Sequence, residues 1–160
     1  RIYSINETYI KTIGEKDLFN FFKEYVSKYK KPIEKSKENI LIKSMIFLKN
    51  KAKTLGDIWN NAQYIINDKI EISADDKKLI NDLSKKVIND FINEYEKLPS
   101  LSREVLEPVI KSLIDKHKTN FKGVGQPLRI ALVGSRFGPG LYDVILSLDK
   151  DQVIKRLKQI

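Results

Sequence analysis

Apolar residues recur at three- and four-residue steps along nearly the whole chain, the spacing of amphipathic helices. Leu18, Phe21, Phe22, Tyr25 and Tyr29 predict one stripe, and Pro32 stops that helix because proline disfavours α geometry in the residue before it. A second helix is predicted over residues 36–50, with Ile40, Leu41, Met45 and Leu48 facing inward. Thr54, with Asp57 three residues on, makes a capping box that opens a third. Its stripe runs Leu55, Ile58, Trp59, Ala62, Ile65 and Ile66, which assigns Trp59 to the core rather than to base stacking. Ser73 and Asp76 repeat the box and start a long helix through Ile80, Leu83, Val87, Phe91 and Tyr95, ended by Pro99. Ser102 caps the next, in which Val105/Leu106, Val109/Ile110 and Leu113/Ile114 fall every four residues and Pro108 demands a kink or a restart. From 120 to 141 the texture changes, with five of the seven glycines and two of the five prolines. Within it, residues 128–133 form an apolar run too short for its period to separate strand from buried helix. Residues 141–148 and a helix capped by Asp149, carrying Val153, Ile154 and Leu157, complete the chain. The reading is all-α: seven or eight helices in two packed bundles, 1–72 and 73–160, divided at the Asn/Asp-rich stretch before Ser73.

Composition supports a folded chain, since 41% hydrophobic residues suffice for a core. No apolar run approaches the ~18 residues of a membrane span. The first residues carry no apolar signal segment, and the start at Arg1 suggests an excised fragment. Without cysteine there are no disulfides or thiolate metal sites, which fits a cytoplasmic chain. The formal charge of +9 favours a polyanionic partner, nucleic acid ahead of membrane, while a lysine-rich solvated surface explains the same number. Its distribution is patchy. Residues 43–53 hold four lysines and no acid, and residues 111–136 hold six basic side chains against Asp115 alone.

Catalytic chemistry is hard to find. One histidine and no cysteine leave almost nothing for nucleophilic or metal catalysis, and His117 sits at the edge of an apolar face. Asp75 with Asp76, and Glu94 with Glu96, read as caps and surface charges rather than acid/base pairs. Binding chemistry is concentrated in KGVGQPLRIALVGSRFGPGLY, residues 122–142. Glycines admit close backbone approach and a Pro-Gly turn fixes main-chain donors and acceptors. Arg129 and Arg136 add planar guanidiniums, and Phe137 and Tyr142 add aromatic faces. Edge hydrogen bonds, stacking and phosphate neutralisation are what recognise unstacked single-stranded bases. A tight turn that needs those residues sterically would read the same way.

The segment QPLRIALVG, then GPGLYDVI, then a helix ending in RLKQI, resembles the C-terminus of bacterial glutamyl-tRNA synthetases over residues 126–160. SINETYIK near the start and NKAKTL at 50–55 are weaker echoes in the same order. The resemblance implies two helical bundles forming an anticodon-binding cage, in an enzyme that attaches glutamate to tRNA(Glu) with ATP. That family's nucleotide-binding signatures are absent here, so the resemblance implies ATP and magnesium in a missing catalytic part and no cofactor in this chain. It implies that Arg129 contacts the first anticodon base and that Gly138, Pro139 and Leu141 shape the pocket for the first two. Lys51 stands where discriminating members carry an arginine reading the third base. Arg136, Phe137, Tyr142, Lys53 and Lys122 are candidate additional RNA contacts. The expected partner is the tRNA(Glu) anticodon stem-loop, bound by a cytoplasmic monomer without membrane or DNA. Lysine at 51 loses the bidentate fork, which keeps a dual glutamyl/glutaminyl specificity open. A helical protein-interaction scaffold with merely solubilising basic patches is the alternative of another class.

Overall fold

The structure, a computed structural model, describes residues 5–160 and divides into two compact units, the first ending at Asp68 and the second running Lys69–Ile160. Ser4 of the SINETYIK segment lies outside the described residues. Eleven α-helices and no strand occur among the described residues, so the all-α reading is right. The helix count is higher than the periodicity predicts, because two long apolar stripes each span a break and Glu7–Thr12 forms a short helix outside the predicted set.

The first unit holds α1 (Glu7–Thr12), α2 (Glu15–Tyr29), α3 (Lys35–Leu48), α4 (Leu55–Asn61) and α5 (Gln63–Ile66). Helix α2 packs on α3 and α4. Its buried stripe is Leu18, Phe19, Phe22 and Val26, rotated from the predicted one. Phe21 and Tyr25 fall on the flank and Tyr29 is exposed. They still make ring contacts, Phe21 edge-on to Tyr9 at 6.1 Å and Tyr25 against Tyr29 at 5.3 Å. Aromatics at a stripe's edge cover core without entering it. The Thr54–Asp57 capping box forms as predicted. The helix it opens breaks at Ala62, however, and Trp59 is only half-buried. Tyr64 takes the buried position instead.

The second unit holds α6 (Ala74–Lys77), α7 (Asp82–Glu96), α8 (Arg103–Lys116), α9 (Phe121–Val133), α10 (Leu141–Ser147) and α11 (Lys150–Lys158). Helix α9 is its axis and touches α7, α8, α10 and α11. Caps set the borders: Asn81, Ser102, Asn120 and Asp149 each accept a hydrogen bond from the backbone N–H three residues on. The long helix predicted from Ser73 is therefore two helices. Asn81 recaps the chain with Ser84, and Leu83, predicted inward, is 41% exposed. Helix α8 runs through Pro108 without restarting. The ambiguous run at 128–133 is helical, and α9 contains Gly123, Gly125 and Pro127. Those residues build a helix that neighbours approach closely, rather than a loop.

Gly134 ends α9 at φ +91°, and its N–H donates to the Ile130 carbonyl at 2.8 Å. A Cβ there would stand 2.5 Å from the Glu71 carbonyl oxygen, so both conformation and space call for glycine.

Candidate nucleic-acid interface

The stretch from Gly134 to Gly140 joins α9 to α10, and the chemistry gathers around it. Arg129, one turn before the end of α9, reaches across it: Nε donates to the Pro139 carbonyl at 3.2 Å and a terminal nitrogen donates to the Arg136 carbonyl at 3.4 Å. Neither Asp143 nor any other acid pairs with it among the described residues. A guanidinium carries five N–H donors, so three remain without a partner among the described residues. Burial lowers the pKa of Arg129 from its ordinary value, yet an arginine stays charged at any physiological pH. The result is a cation fixed at the elbow with its outer edge free.

Two clefts of the second unit share Arg129 and Phe121 as walls. One, of about 430 Å³, is completed by Arg103, Glu107, Leu141 and Tyr142 among others. In it the Arg103 guanidinium lies 4.8 Å from the centre of the Tyr142 ring, and Phe121 lies 6.1 Å from that ring. Burial, then Glu107, raises the Tyr142 pKa, so its hydroxyl is a donor at neutral pH. The other cleft, of about 520 Å³, is lined by Leu79, Lys122, Gln126, Arg136 and Phe137 as well. Phe137 is 73% exposed and Phe121 44%, large apolar faces turned to solvent. Each cleft thus pairs an aromatic face with a multi-donor cation, the combination that stacks a base and reads its edge.

Of the candidate residues, Arg129, Arg136, Phe137, Lys122, Leu141 and Tyr142 line these two clefts. Leu141 does so as a buried wall. Gly138 and Pro139 belong to the turn itself, and Gly138 sits at φ +144°, where a side chain is strained. Lys51 and Lys53 belong to the other unit, in the turn between α3 and α4. Lys51 is exposed at φ +64°, in the left-handed region. The Asp57 carboxylate accepts from the backbone N–H of Lys53 at 2.9 Å and of Thr54 at 3.2 Å, and the Lys53 bond chiefly lowers its pKa. Those bonds hold the backbone at Lys53 and Thr54 on the start of α4.

Two expectations need correction. Asp76, read as a cap and surface charge, does accept in Ser73's cap but is 6% exposed, and it accepts from Arg136 Nε at 2.7 Å. The basic cluster at 111–136 is also less free than its lysine count implies, because Lys116 pairs with Asp90 at 2.9 Å and Arg136 with Asp76. His117 completes a structural group, its Nε2 at 2.8 Å from the same Asp90 carboxylate. Sequence reading also missed Phe121, Arg103 and Gln126. A signal for Phe121 exists: Gly125, four residues on, leaves room for its ring, whose edge would lie 3.3 Å from a Cβ at that position.

No helix among the described residues is long and apolar enough to cross a membrane. The family model described as an anticodon binding domain matches residues 17–160. The glutamate–tRNA ligase of Pelagibacter ubique is 52% identical over 98% of this chain, which covers 34% of that protein. The glutamate–tRNA ligase of Thermodesulfovibrio yellowstonii is 26% identical over the same shares. A crystal structure of a glutamate tRNA ligase from Elizabethkingia meningosepticum superposes on 96% of this chain and 30% of its own, with a TM-score of 0.80 at 19% identity, a likeness of fold. The chain spans about a third of the length of the curated relatives it matches.

Proposed function

The chain belongs to the anticodon-binding domain family, and from that membership we propose that it is the part of a bacterial glutamate–tRNA ligase that holds the anticodon stem-loop of tRNA(Glu). The observation that carries the reading is Arg129: two of its donors are locked on turn carbonyls, and the free ones border two clefts walled by Phe121, Phe137 and Tyr142. Fixed in this way, it presents a planar fork to a base edge at little entropic cost. On this reading Arg129 meets the first anticodon base, and Gly138, Pro139 and Leu141 shape the space for the first two. Lys122 and the exposed Lys51 and Lys53 neutralise phosphates. Joining glutamate to the tRNA, with ATP and magnesium, belongs to the catalytic part of such an enzyme, and this chain works in it as a cytoplasmic, monomeric module. Lys51 offers a mobile point charge where a fork would be needed to read the third base. Stem-loops of glutamate and glutamine tRNAs, which differ there, should therefore bind this chain within about tenfold of each other.

The test is titration of the 160-residue chain with a tRNA(Glu) anticodon stem-loop at several salt concentrations. Affinity should fall steeply with salt, and Lys51→Ala with Lys53→Ala should flatten the log–log slope by about 0.7 for each single-strand phosphate that is no longer neutralised. Binding no tighter than to an unrelated hairpin of equal length, with an unchanged slope in the double variant, would instead favour a protein-interaction scaffold.

A further inference from the structure

We propose, resting on the reading above, that Asp76 is a positioning residue for base recognition: through Arg136 it holds the Phe137 ring and the free edge of Arg129 in register. Helix α6 is a single turn, Ala74–Lys77, too short to be stable by itself. It nevertheless carries a carboxylate that is 6% exposed and sits sixty residues from its partner in sequence. Asp76 Oδ1 accepts from Arg136 Nε at 2.7 Å, and Oδ2 accepts from the Ser73 hydroxyl at 3.0 Å. The Arg136 guanidinium in turn lies 5.5 Å from the centre of the Phe137 ring, within cation–π range. Held on one face, a ring that is 73% exposed offers the other face to a base. The Arg136 carbonyl is also the 3.4 Å acceptor for Arg129, so one residue braces both the stacking surface and the edge donor. A second contact ties the same segments together, since the Glu71 carbonyl abuts Gly134 where α9 ends.

This arrangement makes Arg136 a brace and not a phosphate clamp, because its charge is already matched by a buried carboxylate. Releasing it should therefore have two opposite effects. Base-selective binding falls, while the freed cation adds to sequence-independent, salt-sensitive binding.

The experiment is a double-mutant cycle in the 160-residue chain, using Asp76→Asn and Phe137→Ala. The probe is a tRNA(Glu) anticodon stem-loop carrying 2-aminopurine at each anticodon position in turn, whose fluorescence reports stacking. Phe137→Ala should weaken binding by about fivefold to a hundredfold, the range for loss of one stacked base. Asp76→Asn should weaken it by about threefold or more, abolish the fluorescence change that Phe137→Ala abolishes, and add little in the double variant. It should also steepen the salt slope by about 0.7 as the Arg136 charge loses its matching carboxylate charge. Asp76→Ala should act in the same direction more strongly. If that variant loses its cooperative melt, the Asn variant, which keeps the shape and the Ser73 cap, carries the cycle alone. Additive losses, or an unchanged slope and fluorescence in Asp76→Asn, overturn the proposal even if Phe137→Ala weakens binding. A parent chain that does not bind the stem-loop overturns the anticodon reading itself.

Discussion

Arg129 meets the turn through two main-chain carbonyls, which the sequence does not reveal because carbonyls carry no letter. A lysine there keeps charge but has one nitrogen where the guanidinium uses two, so Arg129→Lys should loosen the turn as well as lose the free fork. Trp59 illustrates the opposite limit. Periodicity assigns it to the core, but the break at Ala62 leaves it half-buried, its carbonyl accepting from Gln63 at 2.9 Å. Trp59→Ala should cost about 1 to 3 kcal/mol in a denaturant melt, below the ~3 to 5 kcal/mol of a fully buried ring. Asp76 gives a pH dependence. The Arg136 hydrogen bond, first among its causes, lowers the folded pKa, so the unfolded chain binds a proton more readily. The stability it contributes is complete above about pH 4, the ordinary carboxylate value, and is lost as pH falls through the lower folded value. Asp57 and Asp90 shift the same way, so their contributions too are lost at acid pH. Melting temperature should therefore drop below about pH 4, and less so in Asp76→Asn; equal drops would deny Asp76 that role.

Helix borders show what local chemistry settles and what it leaves to packing. Thr54, Ser102 and Asp149 cap as the sequence predicts. Asn81 also caps, though the periodicity does not predict it, because it lies within a stripe that looks continuous from Ile80 to Leu83. Asn81→Ala should cost about 1 kcal/mol of stability with little effect on RNA binding. On the proposed reading, the turn after α3 sets stability against function. Lys51 occupies the left-handed region, which costs an L residue about 1 to 2 kcal/mol that glycine avoids, partly offset by glycine's greater chain entropy. Lys51→Gly should accordingly melt no lower than the parent, and up to about 1 kcal/mol more stably, while binding the stem-loop more weakly. A variant that lost both would show that the lysine stem, and not its backbone strain, governs this turn.

At the scale of the molecule, the all-α class was readable from periodicity, and the segment 122–142 singled out in the sequence supplies most of the residues that line the two clefts. What stayed hidden were joins between distant segments. The Asp76–Arg136 pair, the Glu71–Gly134 approach and the placement of Phe121 between two clefts depend on tertiary packing that no local pattern encodes. The glycines of α9 misled for the same reason, since they look like a loop until neighbouring rings and helices are seen against them. On the proposed reading, recognition turns on Arg129 presenting a fixed fork to the first anticodon base. The most direct measurement is the affinity of the parent and of Arg129→Lys for stem-loops that differ only at that base. The parent should discriminate between them, and the variant should lose ~1 to 3 kcal/mol more for the cognate stem-loop than for the others, erasing the difference. A variant that keeps the parent's base preference, whatever its overall affinity, would contradict that role for Arg129.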